Sequence, residues 1–148
     1  MIILDTNVLS ALMRRQPDAA VAAWLDGQLG ESVWTTAVTV FEIRYGLCLL
    51  EEGRRRRELE RAFGRALEEE LGGRILAFDR VAAEAAAGIA AARRAAGRPV
   101  DIRDLQIAGI AVVRRGTLAT RNIRDFEATE VALVDPWAAG QGRGLAGG

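Results

Sequence analysis

Four acidic residues from distant stretches stand where they could do chemistry together: Asp5, Glu42, Asp104 and Asp125. Asp5 closes a short apolar run, Ile2 to Leu4. Glu42 lies early in a helical stretch after Val33 to Thr35. Asp104 falls in the first turn of a predicted helix, and Asp125 follows the run Leu118 to Thr120 by a short loop. Open α/β sheets bind ligands at the carboxyl ends of their strands, so these acids can meet at one sheet edge. Clustered carboxylates repel one another and are pushed toward protonation unless a cation offsets them. Hard oxygen donors suit Mg2+ or Mn2+ better than zinc, and such an ion can activate water and hold charge on a phosphate. Singly, each acid has an ordinary explanation. Asp5 with Thr6 could cap a helix, Asp104 is favoured by the helix dipole, and Asp125 in RNIRDF could be a turn residue. Their joint placement is what points to a metal-assisted site.

Composition narrows the alternatives. The chain has no histidine, which removes Ser-His-Asp triads, Cys-His dyads and histidine zinc sites in one step. Its single cysteine, Cys48, excludes an internal disulfide framework and a Cys-rich zinc site. Cys48 sits in an apolar helical stretch and is expected to be core. Formal net charge is zero, so the total offers no support for a nucleic-acid partner and only the distribution can. All 20 basic residues are arginine, a side chain suited to bidentate phosphate contacts. No apolar run is long enough to span a bilayer, and MIILDTNVLS has no basic leader, so the cytoplasm is the expected compartment and no membrane partner is expected.

The elements that must position the acids follow from hydrophobic period and punctuation. Ile2 to Leu4 reads as a buried strand, followed by a capping turn and a helix through Val8, Leu9 and Leu12. Pro17 and Asp18 open a second helix with Val21, Trp24, Leu25 and Leu29 on one face. Val33 to Thr35 is a strand, and a helix runs from about Ala37 to Glu52. Arg54 to Leu71 is a charged amphipathic helix ended by Gly72 and Gly73. Ile75 to Phe78 is a strand. Asp79 to Ala96 is an alanine-rich helix that should pack closely, with Gly97 as its stop. Asp101 to Arg115 is a further helix, and Leu118 to Thr120 and Val131 to Val134 are the last strands. Trp24 and Trp34 are expected in the core. Short apolar strands alternating with helices predict an α/β fold whose mostly parallel sheet is covered on both faces.

In this order the motifs resemble the PIN-domain nucleases, and within them the VapC/FitB-like toxin subunits of type II toxin–antitoxin pairs. The matching segments are ILDTNVLS, TAVTVFEIRYG around Glu42, DLQIAGIA from Asp104, LATRNIRDF through Asp125, and the closing VALVDPW. Any one alone is weak; their combination in order is specific. The resemblance implies an α/β/α sandwich over residues 1–137 with about four to five short strands; the Gly-rich composition of 138–148 predicts a flexible tail. The resemblance also implies that Asp5, Glu42, Asp104 and Asp125 are catalytic and bind Mg2+ or Mn2+, with Thr6, Thr120 and Asn122 in support. Thr120 and Asn122 match positions that serve the last acid. Asp101 precedes the motif and has no clear counterpart.

The implied activity is a metal-dependent endoribonuclease, a toxin subunit that forms a homodimer and pairs with a VapB-like antitoxin. RNA must approach an acidic pocket, so arginines are needed nearby. Arg121 and Arg124, flanking Asn122 and preceding Asp125, are the better candidates. The run Arg54 to Arg57 reads as a solvated helix face paired with Glu51, Glu52, Glu58 and Glu60. Two other readings compete. A module that holds RNA or an antitoxin without cutting needs the same surface. A phosphatase-like hydrolase using Asp5 as nucleophile would want a second aspartate two residues on, where Asn7 stands.

Overall fold

The computed structural model describes residues 1–139. Strand β1 (Ile2–Leu4) leads into α1 (Thr6–Met13) and α2 (Ala19–Asp26). Strand β2 (Val33–Thr36) is followed by α3 (Ala37–Leu49) and α4 (Arg54–Arg65), which continues as a π-helical turn, Ala66–Glu70. Then come β3 (Ile75–Leu76), α5 (Arg80–Ala95), α6 (Ile102–Arg114), β4 (Thr117–Ala119), α7 (Ile123–Phe126), β5 (Ala132–Val134) and α8 (Pro136–Ala139). The five strands form one sheet in the order β3-β2-β1-β4-β5, with every pairing parallel.

The expected α/β sandwich is thus observed, and its sheet is parallel throughout. Side chains alternate across β1: Leu4 joins the core under α1 to α4, with Phe63, Leu67 and Leu71, while Ile3 joins the core under α5 and α6, with Ile107, Ile110 and Leu118. The chain leaves β1 toward β2 and leaves β4 toward β5, in opposite directions. The topological switch therefore lies between the carboxyl ends of β1 and β4, where a doubly wound sheet opens a crevice.

Caps fix the helix starts as sequence predicts. The carboxylates of Asp18, Asp79 and Asp101 accept from backbone N–H groups at the first turns of α2, α5 and α6. Gly72 and Gly73 adopt positive φ, 54° and 72°, which lets the chain reverse after the π turn. The α5–α6 hairpin packs as closely as its small residues allow, with Ala82, Ala86, Ala108 and Ala111 buried along it. The Arg54 run forms the expected ladder, with Arg54 3.1 Å from Glu58 and Arg56 2.8 Å from Glu60.

Several expectations are corrected. Helix α3 ends at Leu49, not Glu52, because Leu50 turns to extended backbone (ψ 148°). Strand β3 keeps only Ile75 and Leu76 of the expected four residues. Leu29 is 73% exposed, since α2 stops at Asp26 with Gly27 as its cap and never carries Leu29 onto the apolar face. Cys48 is exposed rather than core. It lies on the side of α3 opposite Ile43 and Leu47, among the exposed Phe41, Tyr45 and Leu49. Trp24 and Trp34 pack against the two cores, partly buried. Ala138 and Ala139, placed in the tail from sequence, are helical, and the remainder of that tail, 140–148, lies outside the described residues. Among the described residues no helix is long and apolar enough to cross a membrane.

Candidate active site

Asp5 stands at the switch point. Its backbone N–H donates to the Ala119 carbonyl at 3.1 Å, extending the β1–β4 ladder by one residue. Its Oδ1 accepts from the Val8 N–H at 3.0 Å and so caps α1. The capping explanation of Asp5 is therefore correct, but it occupies one oxygen and not the whole group. Only 5% of Asp5 is exposed. Burial raises its pKa above the ordinary carboxylate value, against the pull of the Thr120 hydroxyl and the Val8 and Asn7 N–H groups, and the charge of Glu42 adds to the rise.

Glu42 reaches the same edge from α3. It is held by the Thr6 hydroxyl, which donates to its Oε1 at 3.0 Å across 36 residues of sequence. Asp104 projects from the first turn of α6, half-buried. Its carboxyl is pushed up to about 6, first by burial and then by the charges of Asp101, Glu42, Asp125 and Asp5. Those four acids are near enough to act on one carboxyl through space. Asp125, on α7, is the exposed member.

The supporting residues divide. Thr6 serves Glu42. The Thr120 hydroxyl turns to Asp5, the first acid, and also accepts the Asn122 backbone N–H at 3.0 Å. Asn122 meets Asp125 through the backbone, where its carbonyl accepts the Asp125 N–H at 3.2 Å.

Two residues at this edge were not singled out from sequence. Arg103 points Nη1 to within 3.9 Å of Glu42 Oε2 and Nε to within 3.7 Å of Asp101 Oδ1. It thereby places a cation among the acids. Asp101, set aside as unmatched, caps α6 and is the first charge acting on Asp104. The signal was the spacing itself: in Asp101-Ile102-Arg103-Asp104 a cation sits between two acids at a helix start. Arg121 is exposed, with its guanidinium 4.8 Å over the Trp137 ring. Arg124 is exposed as well.

By chemistry this donor set fits a hard divalent cation, since every donor is a carboxylate oxygen. By distance it is open: among the described residues no three acids stand close enough to grip an ion together. A cavity of about 550 Å³ lies away from the acids, between α1, α2 and α4. It is lined by Leu9, Leu12, Leu25, Ala62, Ala66 and Leu71 among others, and by none of the four candidate acids.

Fold and site define the class. The family model for the PIN domain matches residues 2–131, and the chain belongs to that family. Its relatives are specific. The VapC ribonuclease Y4jK of Sinorhizobium fredii is 37% identical over 137 residues, spanning 93% of this chain and 98% of that protein. Toxin FitB of Neisseria gonorrhoeae is 38% identical over 137 residues, spanning 93% of this chain and 99% of that protein. A solved structure of FitAB bound to an IR36 DNA fragment superposes with a TM-score of 0.84 at 38% identity, covering 93% of this chain and 96% of that one.

Proposed function

We propose that this chain is a Mg2+- or Mn2+-dependent endoribonuclease, the cytoplasmic toxin subunit of a toxin–antitoxin pair. The observation that carries the reading is the approach of Glu42 from α3 to the starts of α1 and α6, where Thr6, next to Asp5, donates to it at 3.0 Å and Arg103, next to Asp104, reaches it at 3.9 Å; burial and the neighbouring acids push the Asp104 carboxyl up to about 6. Such a cluster is costly unless a cation answers it. Asp5, Glu42, Asp104 and Asp125 would hold the metal. Bound there, it would supply an activated water and offset the charge that builds on an RNA phosphate. The chain's own residues prepare the edge. Thr120 and the α1 N–H groups orient Asp5, Thr6 fixes Glu42, and Arg103 relieves part of the repulsion.

The purified chain is expected to cut single-stranded RNA in Mg2+, to stop in EDTA, and to resume when Mg2+ is restored. A VapB-like antitoxin co-expressed with it is expected to co-purify and to suppress the cutting. Cutting that persists in EDTA would rule out metal dependence. Loss of cutting that neither Mg2+ nor Mn2+ restores would rule out those two ions as the cofactor.

One observation favours a second reading, a module that holds RNA or an antitoxin without cutting: no three acids among the described residues are drawn to gripping distance. Binding of RNA without cleavage under any divalent cation would decide for it.

A homodimer is part of the proposal. Helix α3 is apolar on two sides. Ile43 and Leu47 face the core, while Phe41, Tyr45 and Leu49 are 59%, 51% and 69% exposed, with Phe41 and Tyr45 stacked at 5.9 Å. A contiguous exposed apolar stripe marks an association surface. Light scattering at micromolar concentration is expected to give a dimer for the wild type and a monomer for Phe41→Asp with Tyr45→Asp. A monomeric wild type rules the dimer out.

A further inference from the structure

We propose that Trp137 is a positioning residue, which holds Arg121 at the mouth of the acidic edge as a contact for an RNA phosphate. The inference rests on the ribonuclease reading and names how its substrate is held. Three observations carry it. First, Arg121 lies two residues past the carboxyl end of β4, the strand that pairs with β1 at the switch point, so it leaves the sheet at the edge where Asp5 stands. Second, its guanidinium lies 4.8 Å over the Trp137 ring. Third, that ring is itself fixed, because the indole N–H donates to Asp18 Oδ2 at 3.1 Å, across 119 residues of sequence. The other oxygen of Asp18 is engaged at the start of α2, 3.0 Å from the Ala20 N–H and 3.3 Å from the Val21 N–H. The platform is therefore tied to a helix rather than to a loop.

The geometry matters because the two uses of a guanidinium are orthogonal. Stacking employs its face, whereas its N–H donors lie in its plane and stay available for a bidentate phosphate contact. A stacked arginine has also surrendered much of its rotamer freedom before the ligand arrives, which lessens the entropic cost of binding. Among the described residues Arg121 makes no ion pair within 4 Å, unlike Arg54, Arg56, Arg80, Arg103 and Arg114, although its charge is felt by Asp18, which holds the Trp137 ring. An arginine beside an acidic pocket also counters the repulsion an incoming backbone meets.

The test measures binding of a fluorescein-labelled single-stranded RNA in EDTA over a salt series, with KM and kcat for cleavage in Mg2+ scored separately. Arg121→Ala and Trp137→Leu are each expected to weaken binding about fivefold. Each should flatten the slope of log Kd against log salt by about 0.7, the loss of one phosphate contact on a single strand. KM should rise by a similar factor with kcat within about twofold. The double variant should be no more than about twofold weaker than Arg121→Ala, and Trp137→Phe, which keeps a ring but loses the bond to Asp18, should recover the slope only in part. A purely structural role for Trp137 would not move the salt slope. Unchanged slope and KM in Trp137→Leu, or in Arg121→Ala, overturns the inference. Should Trp137→Leu not fold, Arg121→Lys replaces it. Lysine keeps the charge but lacks a planar group that stacks and donates at once, so about a threefold loss is expected, and wild-type affinity overturns the positioning. A wild type that binds with these slopes but never cuts overturns the nuclease reading alone. One that cuts while the variants keep its slopes overturns this inference alone, and failure to bind RNA overturns both.

Discussion

Asp104→Asn is expected to lose RNA cleavage and gain stability at once. Asparagine keeps the shape and one acceptor oxygen but cannot carry the charge that would hold a divalent cation. Cleavage should fall by roughly three orders of magnitude or more, about 4 kcal/mol of transition-state stabilisation. Asp5→Asn should do the same, since it preserves an acceptor for the Val8 N–H and with it the cap on α1. The stability change has a sign that follows from linkage. The Asp104 carboxyl rises from an ordinary 3.8 to about 6 in the folded protein. The folded state therefore binds this proton more tightly than the unfolded chain, and the stabilisation it gives is lost as pH climbs from about 4 to about 6. Without divalent cations at pH 7, Asp104→Asn escapes that loss. Its Tm should exceed the wild type's by roughly 2–4 °C, or about 1 kcal/mol. The figure is well under what a sealed group would give, because the carboxyl is half open to screening water. Near pH 4 the difference should vanish. Wild-type cleavage by the variant would end the metal-site account, and a lower Tm at pH 7 would show that the acids do not press on one another.

The second large effect lies in the α5–α6 hairpin, which sets where Asp104 points. A Cβ built on Gly109 would stand 2.5 Å from the Ala82 carbonyl oxygen, 2.8 Å from the Ala86 Cβ and 3.0 Å from the Ala86 nitrogen. These are backbone and near-backbone atoms that cannot swing aside. In a helix interior Gly→Ala alone would gain up to about 1 kcal/mol from propensity. Here the forced separation of two close-packed helices costs about 3 kcal/mol and wins. Gly109→Ala should therefore lower stability by about 2 kcal/mol and Tm by roughly 4–8 °C. Gly88, on the same hairpin in α5, meets nothing within 4 Å, so Gly88→Ala should raise stability instead. Thermal unfolding of the two variants side by side is the check, and equal rises in both would refute the close-packing argument.

Gly109 also shows where sequence stopped being informative. The alanine-rich stretch from Asp79 announces a helix that packs closely, yet nothing local says which glycine faces it. The strands, their parallel order and the helix caps were legible because each has a short-range signature: an apolar run, an Asp before a helix, a Gly pair after one. The acids could be proposed as a set because four motifs occur in order. Helix α3 was harder. It carries apolar residues on both sides, and period alone cannot say which side meets the core, so Cys48 was placed inside when it is outside. Arg103 was missed since an arginine between two aspartates looks like ordinary surface pairing until a third acid, Glu42, arrives from α3. Thr120 was expected to serve the last acid, and its pull on Asp5 had no local sign; the bond from Trp137 to Asp18 joins opposite ends of the chain with no local trace either.

Arg103 has a bearing on how the molecule comes into being. Its contacts with Glu42 and Asp101 are long, 3.9 and 3.7 Å, and its side chain is 39% exposed, so the pairing is weak and easily exchanged. Even so, the acidic edge brings some counter-charge of its own out of the ribosome. Under the proposed metal-dependent reading, biogenesis and arming would then be separate events: the polypeptide would not have to wait for an ion in order to fold.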